Sequence, residues 1–271
     1  MNALQRLQER YAIGEARALY ELVLGQRFGL SRTDILLGKD TTLSAKDKAE
    51  LQIIIDRVAK GEPVQYVLGQ EEFCGRTFLV GPGVLIPRPE TQQIIQLIKQ
   101  NVAPKSKVLD IGTGSGCIAI TLALEGYKVS AFDVSDEALV YARKNAERLG
   151  AKVELRQENI LQPEPCDECW DAIVSNPPYI CKSEAEAMDE NVLEHEPHLA
   201  LFVPDDDPLL FYRAIAEFGQ SHLPDKGWLF FEINRAYPKQ VEELLLQKGY
   251  EEVKIVKDEF DNNRLVCARK K

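Results

Sequence analysis

The sequence predicts an α/β fold: a mostly parallel sheet with helices on both faces, preceded by a small all-helical domain. Three observations carry this. From about residue 105, short apolar strand-like runs alternate with helical runs, the signature of βα units. Before about residue 63 there is no strand pattern, and apolar residues recur at helical spacing. Between these regions lies a β-prone stretch broken by Gly75, Gly81, Pro82 and Gly83. The expected division is residues 1–72 as the helical domain, 73–90 as a β-hairpin linker and 91–271 as the α/β domain.

The elements follow in order. Leu4, Leu7, Tyr11, Ala18, Leu22 and Phe28 give a first helical segment, and Ser31–Leu37 a short second one that Gly38 ends. Ser44, with Asp47 three residues on, is an N-cap ahead of Leu51, Ile54, Ile55 and Val58; Gly61 and Pro63 stop that helix. Phe73, Phe78, Leu79, Val80, Val84, Leu85 and Ile86 form the hairpin, expected to turn at Gly81-Pro82-Gly83. Glu90 and Thr91 open an amphipathic helix carrying Ile94, Ile95, Leu97 and Ile98. Seven strands are expected at Lys107–Ile111, Val129–Val134, Val153–Arg156, Asp171–Ser175, Gly227–Ile233, Val253–Lys257 and Arg264–Ala268. Helices lie between them: one to about Leu124, one from Ser135 to Leu149, then Pro208–Leu223 and Pro238–Gln247. The last two strands share a short loop and should form an antiparallel hairpin.

Composition narrows the function classes. The 271 residues are 45% hydrophobic and 28% charged, ordinary for a globular chain of about two domains. No apolar run reaches the roughly 18 residues of a membrane span, and Met1–Arg10 lacks the apolar core of a secretory signal. Six cysteines without such a signal read as reduced thiols in a cytoplasmic protein. Lys and Arg total 33 against 43 Asp and Glu, a net charge of −10 that argues against non-specific nucleic-acid binding. Residues 158–207 hold fourteen acids and one base, Lys182. That span is either a solvated face or a surface complementary to a basic protein partner.

Two motifs carry chemistry. The first is Asp110-Ile111-Gly112-Thr113-Gly114-Ser115-Gly116, at a strand-to-helix turn where doubly wound folds bind nucleotide-like ligands. Asp133, twenty-one residues after Gly112, sits on the tip of the next strand, where a carboxylate accepts from both hydroxyls of a ribose. The pattern is Gly-x-Gly-x-Gly rather than the dinucleotide Gly-x-Gly-x-x-Gly. Asp110 adds negative charge where a pyrophosphate would lie. The turn therefore suits a ligand with a cationic amino group and no phosphate, such as S-adenosylmethionine.

The second motif is Asn176-Pro177-Pro178-Tyr179, directly after the strand ending at Ser175. The Asn176 side-chain oxygen and the Pro177 carbonyl can each accept one N–H of a planar amide or amine. The prolines stiffen that backbone, and Tyr179 can cover the flat substrate face. Other candidates have plainer readings. Cys166 and Cys169 lack the second pair or spaced His of a zinc site, so no metal is expected. His195 and His198 read as surface residues, Trp170 and Trp228 as core, and Asp205-Asp206-Asp207 as a solvated loop.

With these residues in view, the chain resembles Rossmann-like, seven-stranded S-adenosylmethionine-dependent methyltransferases. More closely, it resembles the peptide chain release factor N5-glutamine methyltransferase family. The likeness rests on Gly61-Glu62-Pro63-Val64-Gln65-Tyr66 with Gly69 and Phe73, and on Leu85-Ile86-Pro87-Arg88-Pro89-Glu90-Thr91. It rests further on the Gly-rich turn, Asp133 and Asn176-Pro177-Pro178-Tyr179-Ile180. The resemblance implies methyl transfer to the Gln side-chain amide of the Gly-Gly-Gln motif in class I release factors. It implies cofactor contacts from Gly112, Thr113, Gly114, Ser115, Gly116, Asp133, Asn159, Ile160 and Asn176. Asn176, Pro177 and Tyr179 would be catalytic, holding the substrate amide together with Pro178. Pro87, Arg88 and Glu90 would line the cofactor entrance or support that loop, and Glu196-Pro197 would help close the site. A nucleic-acid amine methyltransferase shares the Asn-Pro-Pro-Tyr chemistry but needs a basic phosphate track. A binding module that senses the cofactor without catalysis has no use for an amide clamp.

Overall fold

The computed structural model describes residues 2–271. The chain divides into two compact units, one running through Gln70 and taking in Asp189–His195, the other formed by Glu71–Met188 and Glu196–Lys271.

The first unit is helical: α1 (Ala3–Leu7), α2 (Ile13–Phe28), α3 (Arg32–Leu36), α4 (Ala45–Ala59) and α5 (Val64–Leu68). Its core is Leu7, Ala16, Val23, Leu24, Leu51, Ile54, Ile55, Val58 and Val64. The Ser31 and Ser44 side chains accept from the backbone N–H three residues on, so each starts its helix by satisfying an orphan donor. The segment expected as one helix from Leu4 to Phe28 is two, broken between Leu7 and Ile13.

The hairpin is β1 (Gln70–Phe73) and β2 (Arg76–Leu79). Its turn is Cys74-Gly75, not Gly81-Pro82-Gly83. Both turn residues have positive φ, 50° and 69°, the combination of a type I′ turn that matches strand twist.

The second unit continues with α6 (Gln92–Asn101), β3 (Lys107–Ile111), α7 (Cys117–Leu124), β4 (Lys128–Asp133), α8 (Asp136–Leu149), β5 (Val153–Gln157) and β6 (Ala172–Ser175). A two-stranded parallel pair, β7 (Ile180–Cys181) and β8 (Phe202–Val203), brackets the short helices α9 (Glu190–His195, part of the first unit) and α10 (His198–Leu201). Then come α11 (Leu210–His222), β9 (Trp228–Glu232), α12 (Pro238–Gln247), β10 (Tyr250–Lys257) and β11 (Asn263–Lys270). The main sheet has seven strands in the order β10-β11-β9-β6-β3-β4-β5. Its strands are parallel except β11, which runs antiparallel between β9 and β10, as expected for a final hairpin.

Apolar strand residues alternate between two cores. Val108, Val174 and Phe230 pack with Ile94, Ile98, Ile118 and Ile120 of α6 and α7 on one side. Leu109, Ile173 and Phe231 pack with Tyr212, Ile215, Val241 and Leu245 of α11 and α12 on the other. The chain winds outward from β3 through β4 to β5, then returns to place β6 on the far side of β3. That reversal opens a crevice beyond the carboxyl ends of β3 and β6, where open α/β sheets bind ligands.

Candidate active site

Both sequence motifs arrive at this crevice. The turn after β3 is held from two directions. The Gly112 and Thr113 N–H groups donate to the Phe132 carbonyl at 2.9 and 3.0 Å, and the buried Asn145 of α8 donates to the Ser115 carbonyl at 2.9 Å. Ser175 Oγ donates to the Ile111 carbonyl at 2.6 Å and locks the tips of β3 and β6 together.

One cavity lies over these tips. It is lined by Gly112, Gly114, Asp133, Asn159, Ile160, Asn176, Pro177 and Pro178, all singled out from the sequence. Thr113, Ser115, Gly116 and Tyr179 stand outside its lining. Thr113 and Ser115 are buried, Thr113 donating to Asp110 Oδ2 at 2.7 Å. Gly112 and Gly114 have φ of 75° and 56°, and a Cβ on either would meet no protein atom within 4 Å. Their backbone is thus open to close approach by a ligand.

The acidic groups are disposed for a cationic ribonucleoside. Asp133 accepts the Gly114 N–H at 2.8 Å and the Ser135 N–H at 2.9 Å, and burial raises its pKa against those two bonds. Each carboxylate oxygen keeps a lone pair for a ribose hydroxyl. Asp110 is fully buried, with Oδ2 bonded to Thr113 and to the Ala119 N–H, while Oδ1 has no hydrogen-bond partner. Desolvation pushes its pKa up to about 7, opposed by those two bonds. Asp110 lies outside the cavity lining, and its buried oxygen without a donor suits a cationic group such as the amino group of S-adenosylmethionine, so the residues present fit that cofactor.

The substrate side was only partly legible. Asn176 follows β6, and the register Ser175↔Phe231 sets Glu232 beside it at the tip of β9. Glu232 is buried; its Oε2 accepts from Thr91 Oγ1 at 2.6 Å and its Oε1 from Tyr179 Oη at 3.0 Å. Asn176 Nδ2 lies 3.5 Å from Thr91 Oγ1. Burial raises the Glu232 pKa, opposed by the bonds from Thr91 and Tyr179. Burial, then the adjacent Glu232 charge, raises that of Tyr179 well above the usual phenol, so Tyr179 stays protonated.

The sequence alone gives Glu232 no role, and Thr91 only that of opening a helix. The available signal was an acid closing the apolar run Trp228-Leu229-Phe230-Phe231 at the carboxyl tip of a parallel strand. The front wall comes from Gly83, Val84 and Leu85 rather than from Pro87, Arg88 or Glu90. Arg88 instead pairs with buried Glu196, next to Pro197 in the lining. His198 is exposed and His195 half-buried; Trp170 is core, and Trp228 packs against the core from a half-buried position. Asp205 accepts from Ser183, and Asp207 pairs with Arg213.

Comparison with known proteins gives consistent findings. A family described as the methyltransferase small domain matches residues 89–199, and one described as the PrmC N-terminal domain matches residues 1–69. The release factor glutamine methyltransferase of Bacteroides thetaiotaomicron is 47% identical over 98% of this chain and 97% of its own length. That of Flavobacterium psychrophilum is 40% identical over 97% and 95%. Among solved structures, the T. thermophilus 16S rRNA N2 G1207 methyltransferase has a TM-score of 0.56 at 19% identity, covering 74% of this chain and 50% of that one. A Pyrococcus furiosus methyltransferase has a TM-score of 0.54 at 21% identity, covering 73% and 90%. These structural likenesses speak to the fold of the α/β unit.

Proposed function

The chain belongs to the release factor glutamine methyltransferase family, and from that premise we propose how its own residues carry out the transfer. It methylates a release-factor glutamine with S-adenosylmethionine as donor. In our reading, Gly112, Gly114, Asp133, Asn159 and Ile160 hold the cofactor, and Thr113, Ser115 and Gly116 shape the turn behind them. Asn176, Pro177, Pro178 and Tyr179 hold the side-chain amide of the Gln in the Gly-Gly-Gln loop of class I release factors. The observation that carries this is that Gly112, Gly114 and Asp133 share one cavity with Asn176 and Pro177.

S-adenosylmethionine, when bound, would supply a methyl on cationic sulfur, the N–C bond forming as the C–S bond breaks, with the electron pair left on sulfur and the amide proton passing to water. An amide nitrogen is a weak nucleophile because its lone pair is delocalised. Asn176 Oδ1 and the Pro177 carbonyl accept its two N–H bonds, fix its direction and stabilise the positive charge that develops on nitrogen. Such orientation recovers up to roughly 7–11 kcal/mol of a barrier. Protonated Tyr179 acts through its ring and its bond to Glu232, not as a base. Pro197, Leu199 and Ala200 form one wall of the cavity. A cytoplasmic setting fits six free cysteines, and no helix of the described residues is long and apolar enough to cross a membrane.

The test is incubation with labelled S-adenosylmethionine and a class I release factor, with the label mapped by mass spectrometry. Label on the Gly-Gly-Gln glutamine, lost in Asn176→Ala while cofactor affinity is kept, is the expected result. Wild-type turnover in Asn176→Ala refutes the role given to Asn176.

A further inference from the structure

We propose that Thr91 and Glu232 are positioning residues that fix which way the Asn176 amide faces, so that its oxygen and not its nitrogen meets the substrate. The inference rests on the reading of Asn176 as an acceptor for the glutamine amide. It deepens that reading by saying what makes Asn176 an acceptor. A side-chain amide is nearly symmetric in shape but opposite in polarity at its two ends, and only its hydrogen-bond partners choose between them.

The choice is made two residues away. Thr91 Oγ1 has one proton, and donates it to Glu232 Oε2 at 2.6 Å. Its oxygen is then left as an acceptor only, and faces Asn176 Nδ2 at 3.5 Å, the long end of hydrogen-bond distance. Turning Asn176 over would set Oδ1 against the Thr91 oxygen, two acceptors with no proton between them. Glu232 holds this sense because its other oxygen also accepts a hydrogen bond, from Tyr179 Oη at 3.0 Å. With both oxygens accepting, the Glu232 carboxylate polarises Thr91 and aligns Tyr179 with one group.

The placement is built into the sheet. Asn176 and Glu232 follow paired residues at the ends of adjacent parallel strands β6 and β9. Thr91 is 2% exposed and Glu232 1%, so water does not substitute freely for either bond. Neither lines the cavity, and neither touches substrate or cofactor in this scheme. Their effect is confined to the orientation of Asn176 and Tyr179.

The experiment is steady-state methylation of a class I release factor by the full chain and by Thr91→Val, Thr91→Ser, Glu232→Gln and Asn176→Ala, with cofactor affinity measured for each. Valine keeps the branched shape of threonine and removes the hydroxyl. Thr91→Val is expected to lower kcat by roughly 10- to 100-fold, the scale of a small misplacement of a reacting group. KM for release factor should rise less than kcat falls, and cofactor Kd should stay within about twofold, as for a variant with its cofactor site intact. Thr91→Ser restores the proton and should recover kcat to within about threefold of wild type. Glu232→Gln offers Thr91 a donor as readily as an acceptor and should fall with Thr91→Val. Should Thr91→Val fail to fold, Thr91→Ala removes the same hydroxyl without added bulk and is read the same way. Full kcat in a folded Thr91→Val or Thr91→Ala with Asn176→Ala inactive overturns the positioning role alone. Full kcat in Asn176→Ala overturns the acceptor reading on which it rests.

Discussion

Glu196 receives the Arg88 guanidinium at 2.5 Å and the Ile86 N–H at 3.1 Å, with its side chain only 1% exposed. One buried carboxylate thus ties two walls of the cavity together: Gly83–Leu85 lie just before Ile86, and Pro197, Leu199 and Ala200 just after Glu196. Removing one partner of such a pair strands the other. Arg88→Met is therefore expected to cost about 3 kcal/mol, the lower end for stranding a buried charge, because Arg88 itself is partly exposed. In a chain of this size that lowers the melting temperature by roughly 6–12 °C. KM for both substrates should rise as the walls separate, and Glu196→Gln, whose single oxygen can accept from only one of the two donors, should show a smaller loss in the same direction. Thermal denaturation and steady-state kinetics read both effects.

Two glycines of the turn after β3 should fail in different ways. A Cβ on Gly114 meets no protein atom within 4 Å, so Gly114→Ala should lose about 1–2 kcal/mol for its left-handed backbone and lose cofactor binding by at least tenfold. A Cβ on Gly116 would lie 2.7 Å from Ile120 Cδ1 and 3.3 Å from Ala142 Cβ. Gly116→Ala adds about 1–3 kcal/mol of overpacking to the same backbone term and should be the less stable protein. Calorimetric binding alongside denaturant melts separates the two; equal stability in both variants would contradict the assignment.

Much of this site was readable in the residues. Gly112 and Gly114 of the turn, the tip acid Asp133 and Asn176-Pro177-Pro178 line the crevice, because short βα units leave a switch-point geometry little freedom. What escaped depends on distant pairing. For Glu196 the resemblance implies a part in closing the site, but its partners Arg88 and Ile86 lie more than a hundred residues earlier and no local pattern names them. Thr91 looked like a helix-opening residue, and its bond to Glu232 spans 141 positions. The hairpin turn was misplaced because β1 hides a single inward Phe73 between two acids and Cys74, while Gly81-Pro82-Gly83 has the stronger local turn chemistry. Two-residue strands such as β7 and β8 carry no periodicity to read.

Asp133 serves the turn as well as the ligand, since its oxygens accept from Gly114 and Ser135. Asp133→Asn keeps one accepting oxygen and should weaken cofactor binding about tenfold, the scale of one hydrogen bond to a charged group. Asp133→Ala frees both N–H groups and should weaken it further while lowering stability. A deoxyribose analogue of the cofactor offers the complementary measurement. Its deficit against the parent compound should shrink in Asp133→Asn, and an unchanged deficit would place the ribose elsewhere.

The Asp110 pKa, pushed up to about 7 by burial, has two consequences of opposite sign. Unfolded, the group titrates near the ordinary 3.8. Between that value and about 7 the folded protein therefore holds a proton that the unfolded chain has released. Stability from this residue is complete below the unfolded value and is lost as pH rises through about 7. A cationic amino group at Oδ1 favours the ionised form, so cofactor binding should release a proton near neutrality, and affinity should climb with pH until Asp110 is ionised without it. Asp110→Asn separates the effects. Its oxygen can keep both bonds that Oδ2 accepts, from Thr113 and Ala119, while its NH₂ replaces Oδ1. That variant should fold, lose this pH dependence of stability, and bind the cofactor more weakly because a donor now faces the ammonium. Calorimetric titrations in buffers of different ionisation enthalpy count the released proton, and an equal count in Asp110→Asn would move its source to another group.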